Sequence, residues 1–346
     1  MNTEFLEALD QIEKDKGISK DTLIEAIEAA LISAYKKNFG TSQNVKIRIN
    51  KENGEVKVYA QKSVVENVTN PLLEISLDEA QKINKLFRLG DIVEIEVTPK
   101  NFGRIAAQTA KQVVVQRIRE AERNIIYEEF IQKENEIMKA KVQRIEKKTV
   151  YVDLGRTEGI LAPQEQIQNE VYNIGDIIEI YILEVKKTTK GPQILVSRTH
   201  PGLIKRLFER EVPEIYEGLV EIKAIAREAG SRTKMAVYSR DPNVDPIGAC
   251  IGLKGKRIQA ILDELKDEKI DVIKWSSNPK EYIANSLSPA KVLSVEVDEK
   301  TKTAKVIVAD SQLSLAIGKE GQNARLAAKL TGWKIDIKSE SQVNKL

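Results

Sequence analysis

The 346-residue sequence predicts a multidomain α+β protein. Its parts are a mixed helical and stranded head with a long connector helix, a small closed β-barrel, and two tandem copies of one α/β module. Three observations predict this. The stretch Ile251–Arg257, with Gly252 and Gly255, returns as Ile317–Asn323, with Gly318 and Gly321, at a repeat distance of 66 residues. Between positions 136 and 200, short β-rich runs follow one another with turns between them. Before position 135, helical periodicity alternates with a hairpin pattern.

Composition sets the class. Hydrophobic residues make up 41% of the chain and charged residues 31%, enough for several small cores and two to four domains. A single cysteine, Cys250, excludes an internal disulfide and a cysteine-rich zinc site. A single histidine, His200, argues against zinc ligand sets and histidine-based triads. There is no long apolar run, and the opening decapeptide is mixed and acidic, unlike a signal peptide. The reading is a soluble, cytoplasmic protein of a reducing compartment, with no membrane partner. Net charge is +3, distributed as −2 over 1–135, +1 over 136–200 and +4 over 201–346. Any nucleic-acid contact must therefore use local patches and loops rather than bulk charge.

In chain order, residues 4–14 and 21–37 read as helices, the second capped by Ser19 or Asp21 and carrying Leu23, Ile24, Ile27 and Leu31 at helical spacing. Val45–Ile49 and Val56–Ala60 alternate strictly around Asn53-Gly54, a hairpin signal. Asp78 is expected to cap a helix reaching Phe87, and Ile92–Val97 to form a strand. A long helix spans about Arg104 to Lys133; it is either a rigid connector or able to bend. Its start, Gly103–Gln112, is small and polar, which suits either close approach by another surface or packing within the head.

Strands are expected at Ile137–Ile145, Val150–Leu154, Glu158–Leu161, Ile177–Val185 and Ile194–Ser197. That many strands in so short a segment suggest a closed barrel of the OB type. Val152–Leu161 and Ile194–Arg198 resemble the S1 RNA-binding domain. The exposed aromatics and histidine of typical S1 domains are mostly missing: Lys148–Tyr151 and Leu161–Gln164 stand in their places. The barrel then either binds RNA weakly, mainly through Arg156, Lys186 and Lys187, or serves as a spacer.

Each repeat reads as helix, two strands, short apolar helix, GXXG, amphipathic helix, strand, the order of bacterial-type (type II) KH domains. Leu219–Ala226 and Thr233–Tyr238 are expected to face Val292–Val297 and Ala304–Val308 of the second copy. Paired glycines allow a tight turn, and the following helix start presents N–H groups suited to a phosphate. The resemblance to KH modules implies that these loops clamp a nucleic-acid backbone. The RNA-binding candidates are Gly252, Leu253, Lys254, Gly255, Lys256 and Arg257 in the first copy, and Gly318, Lys319, Glu320, Gly321, Gln322 and Arg325 in the second. The linker Trp275–Asn278 is short, so the copies should pack together into one continuous RNA surface; Ser339–Leu346 is expected to fray.

Head, barrel and paired GXXG modules in this order resemble the bacterial NusA family of transcription elongation, termination and antitermination factors. The resemblance rests on Gly103–Gln112, Asp245–Gly252 and Ala316–Ala327 and covers essentially the whole chain. It implies domains at 1–135, 136–200, 201–277 and 278–346. It implies a head that docks on core RNA polymerase and a tail that holds nascent single-stranded RNA to modulate pausing, intrinsic termination and antitermination; Arg104 and Lys111, on the small-residue face of the long helix, are expected either on the docking surface or simply to cap or solvate the helix. Other elongation and antitermination factors are implied as partners, and a monomer is expected. The acidic repeats that follow the KH pair in some members are not found here, so the chain is expected either to manage without them or not to do what they do.

No enzyme, metal or cofactor is expected. Gly255-Lys256 is followed by Arg257 rather than Ser or Thr, and Cys250 stands where a P-loop needs glycine. No spacing singles out a catalytic carboxylate pair. The alternative is a ribosome-associated or RNA-processing-complex RNA-binding protein without polymerase contact.

Overall fold

A computed structural model describes residues 3–39, 44–266 and 268–343. The chain divides into two compact units, 1–125 and 126–346.

The first unit contains α1 (Thr3–Lys16), α2 (Lys20–Phe39), β1 (Val45–Ile49), β2 (Val56–Val65), β3 (Glu74–Ser76), α3 (Leu77–Ile83), β4 (Ile92–Glu96) and most of α4 (Phe102–Ile131). Of the two cap candidates for α2, Ser19 serves: its Oγ accepts from the Thr22 N–H at 3.4 Å. The hairpin forms in the register its alternation requires, Ile47 opposite Val58, and β2 continues to pair with β3 and β4. Leu23, Ile27 and Leu31 of α2 pack on Ile47, Ile49 and Val58, and Phe102, Ala106 and Ala110 of α4 close the same core. The cap of α3 differs from expectation. Ser76 accepts from the Glu79 N–H, while Asp78 sits inside the first turn, where a carboxylate favours the helix dipole. The helix also stops at Ile83, short of Phe87, because Asn84 is extended.

The second unit opens with a closed barrel, order β5-β6-β7-β9-β8. Its strands are β5 (Ile137–Glu146), β6 (Thr149–Asp153), β7 (Glu158–Leu161), β8 (Ile177–Thr188) and β9 (Gly191–Ser197). Val142, Val152, Ile180 and Val196 fill it, and fully buried Phe130, from the end of α4, joins that core. The expected head, 1–135, thus contains a residue that packs in the barrel.

The first GXXG module comprises α5 (Pro201–Glu211), α6 (Pro213–Tyr216), β10 (Val220–Glu228), β11 (Arg232–Ser239), α7 (Pro246–Ile251), α8 (Lys256–Leu265) and β12 (Lys269–Lys274). The second comprises α9 (Pro279–Ser286), β13 (Val292–Asp298), β14 (Thr303–Val308), α10 (Leu313–Ile317), α11 (Gln322–Thr331), β15 (Lys334–Ser339) and α12 (Glu340–Val343). In both sheets the first two strands pair antiparallel and the third lies parallel to the second.

The two sheets do not face each other as expected. The small side chains Ala226 and Ala236 of the first sheet, with Ile273, receive Leu326 and Leu330 of α11 and Tyr282 of α9, so helices of the second module cover the first sheet. Alanine on a pleated face leaves room for a helix, which a facing sheet would not fill. Within the C-terminal segment expected to fray, Glu340–Val343 form α12, and the Ser341 hydroxyl donates to Asp310 at 2.5 Å. Residues 344–346 lie outside the described residues.

Barrel and first module are joined by a buried ion network. The Arg198 side chain, 1% exposed, donates to Glu170 (2.6 Å), to Glu264 (2.9 Å) and to the Glu179 carbonyl (2.7 Å). Burial works against this cation, but Glu170 and Glu264 outweigh it and keep it firmly charged. A buried pair of this kind is strongly position-dependent, since losing one partner strands a charge.

Candidate nucleic-acid interface

The first GXXG loop is built by its flanks. Asp245 caps α7, accepting from the Ile247 and Gly248 N–H groups, and Pro246 occupies the first turn. The helix stops at Gly252, whose φ of 76° and ψ of 173° suit glycine alone. A single turn, Leu253–Gly255, follows, and both Lys254 (φ 53°) and Gly255 (φ 74°) are left-handed. The second loop repeats this path: Gly318 at φ 77° and ψ 169°, Glu320 at 53°, Gly321 at 74°.

The two glycines of each loop do different work. A Cβ on Gly252 would lie 2.7 Å from the Arg257 side chain, and one on Gly318 would lie 2.8 Å from the Asn323 backbone nitrogen. The first glycine therefore lets the loop close on its own helix. A Cβ on Gly255 or Gly321 would meet nothing within 4 Å. The second glycine thus borders open space at the start of α8 or α11. Neither helix start has a side-chain cap; the first N–H of each, on Lys256 and Gln322, bonds the Leu253 or Lys319 carbonyl, so an anion there would use the later first-turn N–H groups.

The structure sorts the expected residues. Leu253 is 83% exposed, and Lys254, Lys256, Lys319 and Glu320 are exposed around the loops. Arg257 is turned inward, donating to the Ala249 carbonyl at 2.7 Å and to Glu214 at 2.9 Å. Gln322 donates to Glu228 and to the Ser231 hydroxyl, and Arg325 pairs with Glu228. These three side chains brace the loops.

Asn323, not among the expected residues, has the same task as Arg257. Each stands at the same offset after the first glycine of its loop. Asn323 is buried and donates to the Leu287 and Ala316 carbonyls, each at 3.0 Å. The shared offset was the available signal, hidden because the two residues differ in charge. Ile251, Leu315 and Ile317 are also exposed, giving an apolar surface beside the loops.

On the barrel, Arg156 contacts Glu129 at 3.5 Å but stays 65% exposed, Lys186 pairs with Glu184 at 2.9 Å, and the Lys187 ammonium lies over Tyr127. Tyr151 is covered: the Arg144 guanidinium stacks 3.5 Å above its ring and is held there by Glu158. In the head, Arg104 and Lys111 lie on the exposed side of α4, opposite the buried Phe102, Ala106 and Ala110. Among the described residues, no cluster of His, Cys, Asp or Glu could hold a metal ion, and no helix is long and apolar enough to cross a membrane.

A closed OB-type barrel followed by paired GXXG modules defines a multi-module RNA-binding protein. Four family models match in sequence: the NusA N-terminal domain over 4–124, the S1 RNA binding domain over 131–197, and the NusA-like first and second KH domains over 198–275 and 279–345. The transcription termination/antitermination protein NusA of Halalkalibacterium halodurans is 63% identical over all of this chain and 91% of its own length. The protein of that name from Bacillus subtilis is 62% identical over 100% and 93% of the two chains, and that of Thermus thermophilus 45% over 100% and 92%. The solution structure of the B. subtilis NusA N-terminal domain covers 36% of this chain and 99% of its own, at 63% identity and a TM-score of 0.33. The chain belongs to the NusA family. None of the matching models describes an enzyme.

Proposed function

We propose that the protein is a transcription termination and antitermination factor that docks on core RNA polymerase through its head and holds nascent RNA with its tail. The observation that carries this reading is the pair of GXXG loops of one geometry, each with open space at an uncapped helix start. Backbone N–H groups there, with Lys254 and Lys256 at the first loop and Lys319 at the second, take successive phosphates. Exposed Ile251, Leu253, Leu315 and Ile317 lie where unpaired bases would rest.

The charge division supports separate partners: 1–135 is net −2 and 136–346 net +5. Arg104 and Lys111, on the exposed small-residue face of α4, belong to the polymerase-proximal surface. Docking raises the effective concentration of the RNA modules at the emerging transcript, so weak RNA contacts suffice. The protein acts in the cytoplasm beside its polymerase. A pull-down with core polymerase against ribosomal subunits tests the reading: capture of polymerase supports it, and capture of ribosomal subunits alone gives the ribosome-associated alternative.

A further inference from the structure

Beside the start of α7, where β11 and β12 end and the chain passes into α9, lies a cleft of about 580 Å³. Its walls carry the rings of Tyr238 and Trp275, and Arg240, Lys274 and Glu281 stand at its edge. The GXXG loops do not account for it.

We propose that this cleft holds one unpaired nucleobase of the bound RNA strand, stacked on the Tyr238–Trp275 platform. The inference rests on the reading that the GXXG loops hold RNA. The platform is preorganised. Tyr238 meets Trp275 edge to face, with centroids 5.5 Å apart at 83°. Behind Trp275 stands Tyr282, at 6.3 Å, whose hydroxyl donates to the Leu330 carbonyl at 3.1 Å. The Trp275 N–H donates to the Val237 carbonyl at 2.8 Å, so the backbone beneath the indole is fixed too. Rings locked in this way lose little freedom when a base stacks on them.

Cations stand around the platform, where Lys223 and Arg240 both pair with Glu221. The pairing of β10 with β11 shifts register between Ile222 and Ala224, and Lys223 lies at that bulge. A bulge re-aims a side chain. Here it brings the Lys223 ammonium to 5.2 Å from the Tyr238 ring and 5.4 Å from the Trp275 ring. Lys274 is exposed, and among the described residues no ion pair involves it.

The position gives a path. A second open cleft, about 490 Å³, includes Ile247 of α7 and Lys274, so Lys274 borders both spaces. From the phosphate position at Gly252–Gly255, a strand needs only to run back along α7, which is six residues and about 9 Å long. It then passes Lys274 and reaches Trp275. Stacking on an aromatic side chain does not depend on base identity, so the cleft adds affinity and sets the strand's direction without requiring a sequence.

The experiment uses the full chain and a fluorescently labelled single-stranded oligoribonucleotide. The chain has two tryptophans, Trp275 and Trp333, and Trp333 is 8% exposed within the second module's core. The expected result is tryptophan quenching that follows the same isotherm as RNA anisotropy. Tyr238→Ala, at a 38% exposed position, should weaken binding by about five- to a hundredfold while circular dichroism stays unchanged. RNA binding with unchanged emission, together with wild-type affinity in Tyr238→Ala, overturns the cleft and leaves the loops standing. Absence of RNA binding to the wild-type chain overturns the reading of the loops as well.

Discussion

Arg325 of α11 donates from Nε and Nη2 to Glu228 of β10 at 2.6 and 3.0 Å, across the junction of the two GXXG modules. Its third contact, from Nη1 to the Glu320 carbonyl at 3.0 Å, lies inside the second loop. One side chain therefore ties the first module's sheet to the second module's RNA-facing turn. The Arg325 hydrogen bonds hold the Glu228 carboxyl below its usual range, against the opposing effect of burial. Glu228→Gln keeps an acceptor for Arg325 and removes a negative charge beside the loop. Binding of single-stranded RNA at low salt should tighten by about two- to fivefold, with a salt slope steeper by about 0.7, as for one added phosphate contact. Weaker binding in a salt titration would show that the intact ion pair, rather than its geometry alone, is needed at the loop.

The loops themselves are tested by charge. Replacing Leu253 and Lys254 with Asp puts two carboxylates at exposed positions, and Asp tolerates the left-handed backbone of Lys254 (φ 53°). RNA affinity should fall by about ten- to a hundredfold with the melting temperature nearly unchanged, since each phosphate contact is charge-assisted. Lys319→Asp should cost less, because the second loop already carries Glu320 and its Arg325 is engaged by Glu228. Unchanged affinity with both loops acidic would remove the GXXG pair from the RNA site.

Glycine substitutions separate folding from binding. Gly318→Ala drives a Cβ to 2.8 Å from the Asn323 backbone nitrogen in a conformation that suits only glycine, so it should destabilise by about 3 kcal/mol. Gly252→Ala meets the flexible Arg257 side chain at 2.7 Å and should cost less. Gly255→Ala and Gly321→Ala meet nothing and should cost about 1 kcal/mol of left-handed strain. Chemical denaturation of the four variants reads this order; equal losses would contradict the two-glycine division.

Acid sensitivity should begin at His200. Its Nδ1 accepts from the Gly202 N–H at 3.0 Å, capping α5, and its ring stacks on Tyr181 with centroids 4.7 Å apart. Burial lowers its pKa, with Arg227 adding to the effect and Glu165 opposing it. The unfolded chain therefore protonates this histidine first. Its contribution is complete above about pH 6.5 and is lost as pH falls from there through the lower folded-state pKa. His200→Asn keeps a cap acceptor without titrating, so the decline between about pH 6.5 and 5 should flatten in melting experiments. An identical pH profile in the variant would place the acid sensitivity elsewhere.

Local patterns in the sequence announced most elements. The hairpin showed in strict alternation around Asn53-Gly54, the barrel in its turn spacing, and the repeated module in its glycines. What remained hidden is which side chains meet, within a hairpin as well as between distant segments. Nothing in periodicity says that Arg144 will stack on Tyr151, or that Arg198 will gather Glu170 and Glu264. The α3 boundary failed because Ser76 and Asp78 both suit a helix start, and only backbone geometry chooses between them. Nor does the sequence say that Arg257 and Arg325, two of the cations expected on RNA, also bond within the protein, since a basic residue beside a loop reads alike with or without such partners.

On the proposed function, polymerase docking and RNA holding reside in different parts of one chain and act only together. The direct test is an in vitro pausing assay comparing the intact chain with residues 1–125 and 126–346, a division that keeps Phe130 with the barrel core it fills. The intact chain should prolong hairpin-stabilised pauses. Residues 1–125 should bind polymerase without binding RNA, and 126–346 should bind RNA without any effect on pausing. Full pausing activity from 126–346 alone would overturn docking as the basis of function.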